Sequence, residues 1–109
     1  MSAAETSSEI PRDGAPAITV VVVNYNGGDY LRRCLNSLAD QTLADFETIV
    51  VDNASSDGSL ETLERMPART EILRERDNHG FARGNNIGAR RGSGEWLVLL
   101  NPDAIAEPD

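Results

Sequence analysis

The chain of 109 residues is long enough for one domain, and with 39% hydrophobic and 26% charged residues it is globular in composition. Its net charge of −8 excludes the basic stripe that a nucleic-acid backbone requires, so no nucleic-acid partner is expected. All ten basic residues are arginine, which excludes a lysine-bearing phosphate loop and Schiff-base chemistry.

Residues 1–16, rich in Ser, Ala, Glu and Pro without periodicity, are expected to form a disordered leader, with the folded domain over 17–109. Ile18 to Val23 is a continuous, mostly β-branched run, the pattern of a strand buried on both faces. It stops at the turn sequence Asn24-Tyr25-Asn26-Gly27-Gly28, after which Asp29 is expected to cap a helix. Leu31, Cys34, Leu35 and Leu38 then recur at one helix face, making the lone cysteine a small core residue.

The pattern repeats. Phe46 to Val51 predicts a second strand ending at Asp52-Asn53. Leu60 and Leu63 predict a second helix that Pro67 ends, with Asp57 as its cap. Thr70 to Arg74 predicts a more polar third strand near an edge, and Phe81 to Arg91 a third helix rich in Gly and Asn. Trp96 to Leu100 predicts a fourth strand, interrupted at Asn101-Pro102-Asp103.

Strand–helix alternation with short connections implies right-handed parallel crossovers in a layered α/β sheet with helices on both faces. With the four strands in the order 3-2-1-4, a crevice opens at their carboxyl ends, and such crevices hold ligands. Asn24-Tyr25, Asp52-Asn53 and Asn101-Asp103 all stand at those ends. That convergence is the main sign of a site.

Asp52 is placed where dinucleotide-binding folds hold a ribose hydroxyl, yet the first turn lacks the G-x-G-x-x-G pattern, which argues against a dinucleotide enzyme. Tyr25 offers an aromatic face for a base, against the alternative of half-covering the sheet end. Asp103 is a candidate ligand for Mg²⁺ or Mn²⁺, because nucleotide phosphates supply most of the remaining ligands. Gly84 and Gly88 cost about 1 kcal/mol each inside a helix, so they imply close approach by a backbone or a ligand. Arg83 could counter a phosphate, and Asn85 or Asn86 could bond a sugar or base; for Arg83 a solvated charge is the competing reading.

In order and spacing, four runs resemble glycosyltransferase family 2, the enzymes with a GT-A fold: Val22-Val23-Asn24-Tyr25-Asn26, Val50 to Gly58, Asn78 to Gly88, and Leu99 to Asp103. The Asn-Pro-Asp run looks most like the rhamnosyltransferase-type branch. The resemblance implies inverting transfer of a sugar from a UDP- or dTDP-linked nucleotide-diphospho-sugar to a saccharide or lipid-linked acceptor. It implies that Tyr25 and Asp52 contact the base, Asn101 the ribose region, and Asp103 the metal that steadies the leaving diphosphate. It further implies that the general base lies beyond residue 109 with the acceptor site, so this chain is expected to be a truncated half that binds donor without transferring sugar. With no signal-like or membrane-spanning run, the expected location is cytoplasmic, with membrane association only through the further half. Two other readings stand beside it: a sugar-1-phosphate nucleotidyltransferase, and a non-catalytic nucleotide-binding fragment.

Overall fold

The computed structural model describes residues 2–5, 15–41 and 45–102. Its strands are β1 (Ser2–Glu5), β2 (Ile18–Asn24), β3 (Phe46–Asp52), β4 (Thr70–Arg74) and β5 (Trp96–Leu100); its helices are α1 (Asp29–Ala39) and α2 (Phe81–Arg91). They form one five-stranded sheet in the order β1-β5-β2-β3-β4. The four strands from β2 to β5 run parallel, and β1 joins the edge of β5 antiparallel. The expected α/β layering and strand order are therefore present.

β2 is the centre of the sheet because it can be covered on every side. Its backbone pairs with β3 and β5, and Val20 to Val23 are all buried. Strand alternation divides these valines between two cores. Val20 and Val22 join Val50, Leu100 and the α1 face Leu31, Cys34, Leu35 and Leu38. Val21 and Val23 join Ile49, Val51 and Ile87 of α2. Each fully buried Leu or Val contributes roughly 1.5–3 kcal/mol, so these two layers carry the fold.

Three sequence expectations differ. Ser2–Glu5, inside the segment expected to be disordered, pairs with β5 as an edge strand. Backbone hydrogen bonding to an open edge asks nothing of side-chain hydrophobicity, so composition does not reveal it. No helix forms over 60–66; short turns close by Glu61 N–H to Gly58 O and Leu63 N–H to Leu60 O. Too few residues separate Gly58 from Pro67 to repay helix nucleation, although Leu60 and Leu63 still pack on the α1-side core. Asp29 is the first helical residue of α1 and pairs with Arg32 at 2.6 Å, while Gly28 takes the cap position with φ 55°. Among the described residues no helix is long and apolar enough to cross a membrane.

Candidate functional site

The carboxyl ends of β2, β3 and β5 open into a cleft of about 520 Å³. It is lined by Val23, Tyr25, Gly27, Tyr30, Asn53, Asn78, Gly80, Phe81, Asn101 and Pro102. Three of the expected residues, Tyr25, Asn53 and Asn101, thus come together there. Tyr25 is 53% exposed, so its ring is free to receive a planar ligand.

Asn53 is nearly fully buried and donates from Nδ2 to the Gly80 carbonyl at 3.1 Å, while its Oδ1 is buried without a partner among the described residues. This bond joins the end of β3 to the start of α2 and sets one wall of the cleft. The α2 glycines bring that wall close. A Cβ on Gly84 would stand 2.8 Å from Val23 and 3.1 Å from Asn53 Nδ2, and one on Gly88 would overlap Val21. The close approach expected of them is made by the sheet.

Asn24 and Asp52 lie deeper. They are paired in register, and each continues the parity of Val22 and Val50 on the α1 side of the sheet. Asn24 is fully buried and Asp52 is 3% exposed, and neither lines the cleft. Asn24 Nδ2 donates to Asp52 Oδ1 at 2.8 Å, Ser59 Oγ at 3.0 Å and Ser55 Oγ at 3.2 Å. The other Asp52 oxygen accepts from Ser55 N–H at 3.1 Å, a reach made by the positive φ of Ala54, 64°.

The loop after β3 is also stitched to the loop after β2. Asn26 N–H donates to Ser55 Oγ, Ser56 N–H to Asn26 Oδ1, and Gly28 N–H to Asp57 Oδ2, all within 3.0 Å. Hydrogen bonds from the Ser59 hydroxyl, the Ser59 N–H and then the Gly28 N–H hold the Asp57 carboxyl below the usual carboxylate range. Asp57 therefore fastens the start of α1, where the sequence suggested a cap for a helix that does not form.

The remaining expected residues are spread out. Arg83 and Asn86 are exposed on α2 outside the cleft lining, and Asn85 is buried at 7% exposure. Asp103 lies outside the described residues. Among the described residues no group of three or more His, Cys, Asp or Glu converges, and the cleft lining holds amides and carbonyls but no carboxylate. The described lining therefore offers a cation no charged ligand.

Sequence reasoning missed Tyr30, Asn78 and Phe81 as lining. Tyr30 and Phe81 are 56% and 53% exposed, and each opens a helix just after a strand-end turn. An aromatic residue at such a place is the signal that pattern-reading passed over.

Comparison with known proteins agrees with this fold. Residues 19–109 match the family model described as Glycosyl transferase family 2. "Putative glycosyltransferase EpsH" of Bacillus subtilis is 33% identical over 97 residues, covering 86% of this chain and 28% of that protein. Among solved structures, S. aureus TarS 1–349 in complex with UDP-GlcNAc superposes with a TM-score of 0.72 at 30% identity, covering 79% of this chain and 26% of that one. The mannosyltransferase PcManGT from Pyrobaculum calidifontis, in complex with GDP-Man and Mn²⁺, gives 0.76 at 28% identity, covering 84% of this chain and 28% of that one. The chain thus spans less than a third of the length of each of these relatives.

Proposed function

Because this chain belongs to glycosyl transferase family 2 and carries the family's GT-A layout, we propose that it forms the donor-binding half of an enzyme that transfers a sugar, with inversion, from a nucleotide-diphospho-sugar to a saccharide or lipid-linked acceptor. The observation that carries this reading is the cleft at the strand ends, where an exposed Tyr25 ring stands with the Asn53 and Asn101 amides.

In this reading Tyr25 stacks on the base. Asp52, buried beneath the loop, acts on the base site through its neighbour Asn53 and through the Ser55 N–H that it holds. Asn101 faces the ribose, while Arg83 and Asn86, exposed on α2, act toward the phosphates or sugar. Asp103 holds Mg²⁺ or Mn²⁺ beside the diphosphate, and the ion when bound neutralises the leaving group. The Asn101-Pro102-Asp103 run supports a rhamnosyltransferase-like enzyme with a UDP- or dTDP-linked donor. The general base belongs to a further half with the acceptor site, and the enzyme acts in the cytoplasm or at the inner face of the membrane.

The test is thermal unfolding with UDP-, dTDP- and GDP-sugars in the presence of Mn²⁺. Stabilisation that requires the metal and disappears in Asp103→Ala supports the reading. Stabilisation by a free nucleoside triphosphate alone would favour a nucleotidyltransferase instead.

A further inference from the structure

The sequence placed Asn24 among the residues that touch the ligand, but its geometry suits another task. It is fully buried, it is absent from the cleft lining, and its amide hydrogens are committed to three acceptors on the chain after β3. Its Oδ1 is buried against Gly27, where any Cβ would overlap it. Gly27 itself lines the cleft.

The neighbours of Asn24 and its partner are what the cleft uses. Tyr25 follows Asn24, Asn53 follows Asp52, and both are lining residues. Asn53 N–H also donates to the Asn24 carbonyl at 2.8 Å. The side-chain bond between Asn24 and Asp52 thus fixes how far apart, and in what rotation, the next two residues leave the sheet. Through Ser55 and Ser59 the same amide fixes the loop that is stitched to Asn26 and Gly28. The amide is paired through its hydrogens alone, its Oδ1 being buried without a partner among the described residues, and removing those hydrogens leaves three acceptors short of a donor.

We propose that Asn24 is a positioning residue for donor binding: without touching the donor, it holds Asp52 and the Ser55–Ser59 loop in the arrangement that presents Tyr25 and Asn53 to the nucleotide. This rests on the donor-binding reading above.

The experiment pairs amide hydrogen exchange at Ser55, whose N–H is bound to Asp52, with calorimetric titration of UDP, dTDP and GDP in the presence of Mn²⁺. In Asn24→Ala, Ser55 exchanges roughly tenfold faster and nucleotide affinity falls by a similar factor, the scale of one hydrogen bond to a charged group. Ser59→Ala removes one acceptor and shows a smaller loss of both, which keeps the test open should Asn24→Ala fail to fold. The exchanged pair Asn24→Asp with Asp52→Asn reverses the bond and returns Ser55 protection to near wild type. Lost affinity with intact protection would overturn the proposal by making Asn24 a contact residue. Lost protection with unchanged affinity, or no recovery of protection in the exchanged pair, would overturn it as well. A wild-type chain that binds none of the three nucleotides would remove the donor-binding reading and this inference with it, and the exchange measurement without nucleotide tells the two failures apart.

Discussion

Gly84 of α2 lies over Val23 of β2 so closely that a Cβ on the glycine would stand 2.8 Å from Val23 Cγ1. The helix reaches the sheet at that point only because the side chain is missing. Gly84→Ala gains up to about 1 kcal/mol of helix propensity but forces a shift in a packed layer, which costs roughly 1–3 kcal/mol. The expected net result is destabilisation in urea unfolding, larger for the double variant with Gly88→Ala. A more stable Gly84→Ala protein would contradict the close packing.

Tyr25 is one of three exposed aromatic residues lining the cleft, with Tyr30 and Phe81. Tyr25→Ala should weaken nucleotide binding by about 1–3 kcal/mol, the value of one base stacked on an aromatic ring, and leave the unfolding midpoint unchanged. Tyr25→Phe should keep most of the affinity. Calorimetric titration reads both, and equal losses in the two variants would point to the hydroxyl instead of the ring.

Much of this fold is legible in the sequence because its signals are local. The valine run of β2 and the 3.6-residue spacing of Leu31, Cys34, Leu35 and Leu38 each name an element and its buried face. The site was legible only as a set of strand ends. Parity was available and decides more: counting from the buried valines, Asn24 and Asp52 share the face of Val22 and Val50, while Asn53 shares the face of Val23 and Val51. That count separates residues beneath the loops from those in the cleft. The stitching of Asn26 and Gly28 to Ser55, Ser56 and Asp57 joins positions about 30 residues apart in sequence, in the loops after two adjacent strands, and no local pattern announces it. Nor does the edge pairing of Ser2–Glu5, which depends on backbone alone.

A second network stands at the opposite end of the sheet. Thr19, 2% exposed, donates to Glu47 Oε2 at 2.5 Å and accepts from Gly94 N–H at 2.8 Å, while Ser93 N–H also donates to Glu47. Thr19→Val leaves the Gly94 N–H buried and unpaired, which should cost about 1–3 kcal/mol. Because Thr19 is near the amino end of β2, nucleotide affinity should be unchanged. Denaturation and titration of one sample check the pair of statements.

Asp57 is held below the ordinary carboxylate range by its bonds to the Ser59 hydroxyl and N–H and to the Gly28 N–H. A carboxyl whose folded pKa is depressed contributes stability above its unfolded pKa and loses it as pH falls through the folded value. The fastening of the α1 start should therefore weaken only below the ordinary carboxylate value. An NMR titration should show Asp57 ionising below that value, with the Gly28 amide signal moving in step. Asp57→Asn should remove this part of the acid response.

The proposed enzyme holds a nucleotide-diphospho-sugar in the cleft between the ends of β2, β3 and β5. Amide chemical-shift mapping with UDP-, dTDP- and GDP-sugars and Mg²⁺ tests it most directly. Donor binding in the cleft should concentrate the shifts at Tyr25, Gly27, Asn53, Asn78, Gly80, Phe81 and Asn101, with none at Thr19, Glu47 or Ser93. Shifts centred on the opposite end of the sheet, or none with any of the three donors, would contradict it.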